Sequence, residues 1–189
     1  MKIAAMIFLL SLAGSILGQG VSFQGDAYKN IIGVKSSSMT GHGAYFHRKF
    51  SENYSVRVNG FVYYYFHQLG EDNDPSEKEL SILYNAGLEL QRDLYKAANT
   101  RIYGFLGGYR YYEKFKDEYQ NHSYEERDSY KYINVVGLGI GSEYIVRKRF
   151  CLDFDFGFKF NDESGRNEGL KEITRALKLG IGVAVGFMF

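Results

Sequence analysis

The chain ends in the stretch RALKLGIGVAVGFMF, residues 175–189, and this stretch decides the fold class. Apolar side chains occupy every second position from Leu177 to Phe189, whereas Lys178 and a series of small residues occupy most of the positions between them. Successive side chains of a β-strand point to opposite faces of a sheet, so a period of two indicates a strand with two different faces. The sequence therefore predicts that the chain ends in a strand with one apolar face.

Five further segments show the same alternation. They cover residues 54–67, 80–91, 100–113, 130–145 and 150–160. In the last of them, Phe and Leu side chains alternate with Cys151, Asp153, Asp155, Gly157 and Lys159. One face of that segment is therefore apolar and the other carries charge, which is the division that a strand between two different environments requires.

The segment 100–113 has the weakest alternation of the six. We assign Tyr103, Phe105, Tyr109 and Tyr111 to its apolar face, and Gly104, Gly108 and Arg110 to the opposite face. With this segment included, six strands are predicted between residue 54 and the end of the chain.

The number of strands bears on how residues 28–50 are divided. One long strand there would give seven, whereas single-chain bacterial membrane barrels have an even number. We therefore predict a break near Ser37 to Gly41, with one strand around Tyr28–Ser36 and another around His42–Phe50. A bend at Gly41 and Gly43 within one long strand is the alternative.

Short and long connections alternate along the chain. The short ones are Ser51–Asn53, Tyr95–Asn99 and Arg147–Arg149, and the longer, polar ones are Glu71–Lys78, Lys114–Ser129 and Asn161–Glu172. Outer-membrane barrels have tight periplasmic turns and longer extracellular loops. The sequence thus predicts that the short turns and the end of the chain share one side of a membrane.

The apolar faces could meet lipid or the interior of a soluble barrel. A secreted lipocalin-like carrier would place them inside, around a ligand. Aromatic residues lie toward strand ends, as in the girdles of membrane barrels. These residues are Tyr54, Phe66, Tyr111, Tyr144 and Phe189. The polar faces are rich in Gly and in mixed charge, which fits a narrow lumen, so we favour the membrane barrel over the soluble one.

The first 20 residues read as a secretory signal peptide. Lys2 precedes the apolar run Ile3–Leu17, and small residues follow at Gly18 to Gly20. We expect cleavage after residue 18 or 20, which leaves residues 21–189 as one exported barrel domain. The run is too short and too interrupted for a spanning helix.

Composition excludes some functions. The 189 residues correspond to one domain, and 23 basic side chains nearly balance 22 acidic ones, which argues against nucleic acid as a partner. The single cysteine, Cys151, cannot form an internal disulfide, and no metal-ligand or nucleophile pattern surrounds it, so it reads as a small packed residue.

The chain as a whole resembles the small eight-stranded outer-membrane proteins of the OmpA and OmpX type and the related porin-like barrels of Gram-negative bacteria. In such families the outer-membrane assembly machinery recognises a last strand with alternate apolar residues and a terminal aromatic, a pattern matched here by Val183, Val185, Phe187 and Phe189. The resemblance implies an all-β, up-and-down transmembrane barrel in the bacterial outer membrane, surrounded by its lipid. We expect a monomer. An architecture does not transfer an activity.

The polar faces predict a network of charges in the lumen. Its members are Lys35, Arg57, Glu89, Arg110, Glu143, Asp153, Asp155, Lys159 and Lys178. Buried charges are costly unless paired, and an eight-stranded barrel has room only for side chains. We therefore predict an interior filled by ion pairs. A narrow ion path is the alternative.

Catalytic, cofactor and metal sites are not predicted. Small barrels that resemble lipid A deacylases and palmitoyltransferases exist, and His122, Ser123 and Glu125 supply suitable residue types. All three, however, lie in one expected loop, and neighbouring residues tend to point apart. His42, His47 and His67 lack ligand spacing. A lipid-modifying barrel remains the alternative function.

The expected extracellular loops are acidic. They contain Glu71, Asp72, Asp74, Glu77, Asp117, Glu118, Glu125, Glu126, Asp128, Asp162, Glu163, Glu168 and Glu172. Loops on a rigid scaffold commonly carry binding functions. The preferred function is therefore a non-enzymatic barrel with a structural or surface-binding role in the cell envelope. The sequence does not identify its surface partner.

Overall fold

A computed structural model of the chain describes residues 23–69, 77–118, 127–167 and 170–189. A short 3₁₀ helix at Gln24–Ala27 precedes eight strands. The strands are β1 (Asn30–Ser37), β2 (Gly41–Lys49), β3 (Tyr54–Leu69), β4 (Glu77–Lys96), β5 (Thr100–Glu118), β6 (Arg127–Val146), β7 (Phe150–Asn167) and β8 (Leu170–Met188). None of the described residues forms a helix long and apolar enough to cross a membrane.

The eight strands form a closed, up-and-down antiparallel barrel. Each strand pairs with the next, and β8 pairs with β1. Following paired residues once around the wall from Lys178 leads to Met188, ten residues further along β8. This stagger means that the strands tilt against the barrel axis. The predicted fold class is therefore confirmed.

The predicted division of the N-terminal region is also confirmed. β1 and β2 are separate strands joined by a turn at residues 38–40, so the region does not form one long bent strand. Short turns lie where they were expected, after β2, β4 and β6. At the last of these, Arg147 and Lys148 adopt positive φ angles of 51° and 67°, which a tight strand connection requires.

The three long connections are shorter than the sequence suggested. β5 continues to Glu118, β6 starts at Arg127, and Asn167 of β7 already pairs with Leu170 of β8. Most of the expected loop Asn161–Glu172 is thus strand. Where both faces of a strand meet water, apolar and polar residues need not alternate, so the sequence pattern fades although the hydrogen-bonded ladder continues.

Large apolar side chains cover the outside of the barrel. On β7 the exposed ones are Phe150, Leu152, Phe154, Phe156, Phe158 and Phe160. On β8 they are Leu177, Leu179, Ile181, Val183 and Val185, followed by Phe189 directly after the strand. The charged residues between them on β7, Asp153 and Asp155, are buried inside. A soluble carrier would have the reverse arrangement, so this is a membrane-spanning barrel with an apolar belt.

The predicted orientation of β5 is wrong. Tyr103 and Phe105 are buried inside the barrel, and Tyr109 and Tyr111 share their face, whereas Leu106 and Arg110 lie outside. The glycines that were placed inside, Gly104 and Gly108, lie on the outer face with Leu106. The tyrosines resembled a lipid-facing row, but they fill the lumen.

Aromatic side chains border the apolar belt at both ends. Tyr54, Tyr144 and Phe189 are exposed near the turn side, as predicted, whereas Tyr111 points inward and the side chain of Phe66 lies outside the described residues. At the opposite end, Tyr84, Tyr112 and Tyr132 form a row, with ring centroids 5.1 Å and 4.7 Å apart. Such girdles mark the two membrane interfaces.

The belt predicts where a charge is tolerated. Leu138 lies on β6 midway between Tyr132 and Tyr144, so Leu138→Arg places a guanidinium in the middle of the hydrocarbon. We expect it to lower the free energy of unfolding by about 2–4 kcal/mol in lipid vesicles, as measured by denaturant titration. Asn134→Arg, on the same outer face but beside the Tyr132 girdle, is the control and should change stability by under about 1 kcal/mol. Equal effects of the two substitutions would contradict the assigned belt.

Candidate functional site

The turn between β1 and β2 lies inside the barrel. Met39 and Thr40 are fully buried there. The Ser37 hydroxyl accepts hydrogen bonds from the backbone N–H groups of Met39 and Thr40, at 3.2 and 3.3 Å. Ser38 is held against β8, because its hydroxyl accepts from Ile181 N–H at 3.1 Å and donates to Ile181 O at 3.2 Å. The Ser37 hydroxyl therefore satisfies two backbone N–H groups of the buried turn, and the Ser38 hydroxyl fixes the turn to the wall.

Glycines on the surrounding wall make room for this turn. A Cβ at Gly137 would lie 2.7 Å from the Met39 Cβ, and one at Gly107 would lie 3.0 Å from the Thr40 Cγ2. Gly180 and Gly87 are in similarly close contact with Met39 and Thr40. The four glycines belong to β6, β5, β8 and β4. The glycines on the inner faces of the strands thus form the surface against which the turn packs.

β2 leaves the turn through backbone conformations that favour glycine. Gly41 and Gly43 have φ angles of 97° and 118°. Asn85 Oδ1 accepts a hydrogen bond from His42 N–H at 3.0 Å, and Asn59 Nδ2 donates to His42 O at 3.4 Å. β3 and β4 therefore hold the exit of the turn by side-chain amides.

Below the turn lies a cluster of buried ion pairs, which we call the luminal ion-pair network. Its members are Lys35, Arg57, Glu89, Asp93, Arg101, Glu143, Asp153 and Asp155. The shortest contact between an arginine and an acid is Arg57 Nη2 to Asp153 Oδ2, at 2.6 Å. Lys35 contacts both Glu89 and Asp155. These contacts join β1, β3, β4 and β7 across the lumen.

Arg101 forms the second half of the network. Its guanidinium lies 2.9 Å from both Glu143 Oε2 and Asp93 Oδ1, and it also donates to Gln91 Oε1 at 2.8 Å. The Tyr103 hydroxyl donates to Asp155 Oδ1 at 2.7 Å, which links β5 to β7. All these groups are nearly or fully excluded from solvent, so their hydrogen bonds replace the water that a lumen would otherwise supply.

Six predicted members of the network meet there: Lys35, Arg57, Glu89, Glu143, Asp153 and Asp155. Three do not. Arg110 lies on the outer face, over the Tyr132 ring at 5.0 Å, because the faces of β5 are reversed. Lys159 and Lys178 point inward but lie above the turn, opposite each other on β7 and β8.

Sequence reasoning missed Arg101, Asp93, Gln91 and Tyr103. Arg101 pairs in the ladder with Glu143, which had been assigned to the inside. Directly paired residues share a face of the sheet. Knowing that single pairing would have placed Arg101 and Tyr103 in the lumen, but register between strands cannot be read from either strand alone.

The lower end of the lumen is closed by apolar packing. Phe23, at the start of the 3₁₀ helix, packs with Ile31, Ile145 and Met188 of the wall. Gln24 N–H donates to Ala98 O at 2.9 Å, which fixes the segment beneath the barrel. From this end to the turn, the described residues thus form three successive layers: an apolar cluster, the luminal ion-pair network and the turn itself.

Cys151 is buried in the apolar cluster, as its assignment as a packed residue predicts, with its Sγ 3.9 Å from the Tyr45 hydroxyl. One ligand atom from each of Glu143, Cys151 and Asp153 lies within 4.8 Å of the others, so these three could hold a metal ion. The two carboxylates, however, already pair with Arg101 and Arg57. We assign no metal site to them.

The histidines and the loop residues do not form a catalytic site among the described side chains. His47 is buried without a hydrogen-bond partner on either ring nitrogen, and His42 Nδ1 lies 3.0 Å from the Ser36 hydroxyl. His122, Ser123 and Glu125 lie outside the described residues, as does the side chain of His67.

Comparison with known proteins assigns no family and no activity to this chain. No family model and no curated protein matches the chain. Solved structures that are similar include a major outer membrane protein from Thermus thermophilus, with 12% identity, a TM-score of 0.45, and coverage of 86% of this chain and 100% of that one. Outer membrane protein W of E. coli has 13% identity and a TM-score of 0.43, with coverage of 86% and 98%.

A third similar structure is the attachment invasion locus protein of Yersinia pestis in complex with the heparin analogue sucrose octasulfate. It has 13% identity and a TM-score of 0.42, with coverage of 85% of this chain and 97% of that one. At such identities no ligand or activity is carried over to this chain.

The luminal ion-pair network predicts that buried ion pairs contribute much more to the free energy of unfolding than exposed ion pairs do. Arg57→Ala leaves Glu89 and Asp153 without their guanidinium, and we expect a loss of about 3–5 kcal/mol in unfolding free energy. Arg175→Ala is the matched control, since Arg175 pairs with Asp162 on the exposed outer face at 3.0 Å and should cost under about 1 kcal/mol. Denaturant titration in detergent micelles measures both, and similar losses would argue against a luminal role for Arg57.

Proposed function

We propose that this protein is a non-enzymatic barrel of the bacterial outer membrane, closed to ions, which supports the envelope or binds a surface partner through the polar ends of its strands. The buried turn at residues 38–40, seated on the luminal ion-pair network, is the observation that carries this proposal. An ion would have to displace the turn, break several buried ion pairs and pass the apolar cluster around Phe23.

Two features support the outer membrane as the location. In its lower half the barrel is closed and has no free sheet edge. Its outer surface carries an apolar belt between aromatic girdles, as the surfaces of outer-membrane barrels do. The expected signal peptide at residues 1–20 would direct export. On this view both ends of the barrel domain and the short turns lie in the periplasm.

The last strand supports assembly in that membrane. Val183, Val185 and Phe189 are exposed on the outer face of β8, where another protein can read them before lipid surrounds the barrel. We propose that this face, with Phe187, is the signal for the outer-membrane assembly machinery.

Above the belt, the polar strand ends supply the surface for a partner. Asp162 pairs there with Arg175 at 3.0 Å, and Glu163 pairs with Lys131 at 2.7 Å, so the two described acids of the expected acidic rim have cationic partners. The other predicted acids have side chains outside the described residues. A surface role thus rests on mixed charge on rigid strands as well as on acidic loops.

Conductance measurement tests the closed lumen. We expect purified protein in a planar lipid bilayer to give no current steps above background, because the buried turn, the luminal ion-pair network and the apolar cluster lie one below the other across the lumen. A general porin reconstituted in parallel provides the positive control. Reproducible steps from the folded protein, verified by heat-modifiable gel mobility, would overturn the closed-barrel proposal and favour the narrow channel.

Two matched phenylalanines test the assembly signal. Phe189 and Phe150 are both half exposed, both face outward and both lie at the turn side of the belt, on neighbouring strands. We expect Phe189→Ser to reduce the amount of protein in the outer-membrane fraction several-fold, while Phe150→Ser leaves it near the wild-type amount. If cell fractionation finds equal reductions, the terminal position has no special role.

A further inference from the structure

The wall of the barrel has a gap above the buried turn. β1 and β2 contain 8 and 9 residues, whereas β3 and β8 contain 16 and 19. The ladder between β1 and β8 ends at Ser37 and Gly182, and the ladder between β2 and β3 ends at Ala44 and Gly60. In the ladders between described residues, β1 therefore does not extend alongside residues 170–180 of β8, and β2 does not extend alongside the upper part of β3. We call this opening the lateral notch.

The notch begins inside the apolar belt. On β8, Leu177, Leu179 and Ile181 point outward at 71%, 61% and 68% exposure, whereas Val183 and Val185, which have β1 beside them, are 49% and 48% exposed. On the opposite rim, Val62 is 78% exposed. The belt on the neighbouring strand β7 continues up to Phe160, which pairs with Leu177. The lower part of the notch therefore lies at the level of the apolar belt.

A sheet edge in this position needs a polar partner. Backbone N–H and C=O groups that are unpaired in hydrocarbon cost several kcal/mol each, which is why membrane barrels are closed. Along the lower notch, the edges of β3 and β8 face either the upper lumen or the bilayer. A molecule that enters there is stabilised if it brings both polar atoms and an apolar chain.

The upper lumen holds two lysines with no acidic partner among the described residues. Lys159 and Lys178 lie directly opposite each other on β7 and β8, an arrangement that like charges disfavour. The acids four residues to either side of Lys159 on the same face are already paired, Asp155 with Lys35 and Glu163 with Lys131. Ala176 and Gly180 flank Lys178. Within the part of the chain that the structure describes, this pair of cations therefore lacks an anion.

The lysine pair borders the notch. Lys178 belongs to the edge strand β8 and remains exposed although it points to the same side as the buried Gly180 and Ala184. On the outer face at the same height, Leu177 and Leu179 belong to the upper part of the apolar belt. Two positive charges inside and an apolar rim outside are complementary to a lipid with an anionic head group.

We propose that the lateral notch binds a phosphate-bearing lipid of the outer leaflet. Its phosphate lies between Lys159 and Lys178 in the upper lumen, and an acyl chain leaves through the notch between Val62 and Leu179. A phosphate offers several acceptor oxygens, so it pairs with two ammonium groups at once. A strand from another protein would cover the edges but would leave the lysines unpaired, which is why the charge favours the lipid.

This inference rests on the membrane location proposed above, but its test does not depend on ion conductance. The probe is dioleoyl phosphatidic acid, added to the full-length barrel in a non-ionic detergent and detected by native mass spectrometry. We expect one bound lipid for wild type. For the double variant Lys159→Gln/Lys178→Gln, we expect the dissociation constant to rise about tenfold or more, since each lost charge-assisted contact is worth roughly that factor.

A matched variant separates the site from general charge. Arg110→Gln/Lys131→Gln also removes two cations from the upper barrel, but Arg110 on β5 lies over the Tyr132 ring and Lys131 on β6 pairs with Glu163, on strands that do not border the notch. It should bind the probe within about threefold of wild type, because neither cation lies at the proposed site. Heat-modifiable gel mobility verifies that each variant is folded. If both double variants weaken binding equally, the lipid is held by net charge alone and the proposal fails.

Two further probes separate the head group from the chain. Inorganic phosphate at the concentration of the lipid should not displace it, and dioleoylglycerol, which lacks the phosphate, should bind at least about tenfold more weakly. Displacement by inorganic phosphate would overturn the lipid in favour of a free anion. Equal binding of dioleoylglycerol would overturn the role of the lysines.

The position of the chain can be read from an introduced tryptophan, because the protein contains none. Leu179→Trp places an indole on the outer face of β8, where the proposed chain leaves the notch. One equivalent of phosphatidic acid with brominated chains should quench its fluorescence, and the same lipid should leave Leu88→Trp, on the outer face of β4, largely unquenched. No quenching at position 179 would place the chain outside the notch and contradict the proposal.

Discussion

The charged groups buried below the turn must find their partners inside the barrel, because the lipid around the wall and the apolar cluster below provide none. The luminal ion-pair network meets that requirement with arginines that each contact two acids. Arg57 joins β3 to β4 and β7, and Arg101 joins β5 to β4 and β6. The network thus holds opposite walls together where an empty lumen would leave each strand bound only to its two neighbours.

The buried turn must also satisfy its polar groups inside the barrel. Its backbone N–H groups donate to the Ser37 hydroxyl and to Ile181 O, and its side chains fill space that glycines leave free. Because β1 and β2 end at this turn, they are too short to complete the wall above it. One local feature therefore both closes the lumen and opens the notch.

Much of this fold could be predicted from the sequence, since the lipid-facing sides of β7 and β8 have an unbroken period of two. The break near Ser37 could be predicted because a bacterial membrane barrel needs an even number of strands. The orientation of β5 could not be predicted, because Tyr103 and Phe105 pack against Met39, and no local pattern shows that a turn enters the lumen. The upper ends of the strands were mistaken for loops, since water on both faces removes the alternation.

The contact between Ser38 and Ile181 has a consequence for how the barrel comes apart. The turn extends the seam at which the first and last strands meet, so it is not a hinged lid. Withdrawing it means separating β1 from β8 as well as breaking its own contacts. Unplugging the lumen and opening the wall at this seam are therefore coupled, because the contacts that hold the turn in place also hold the first strand against the last.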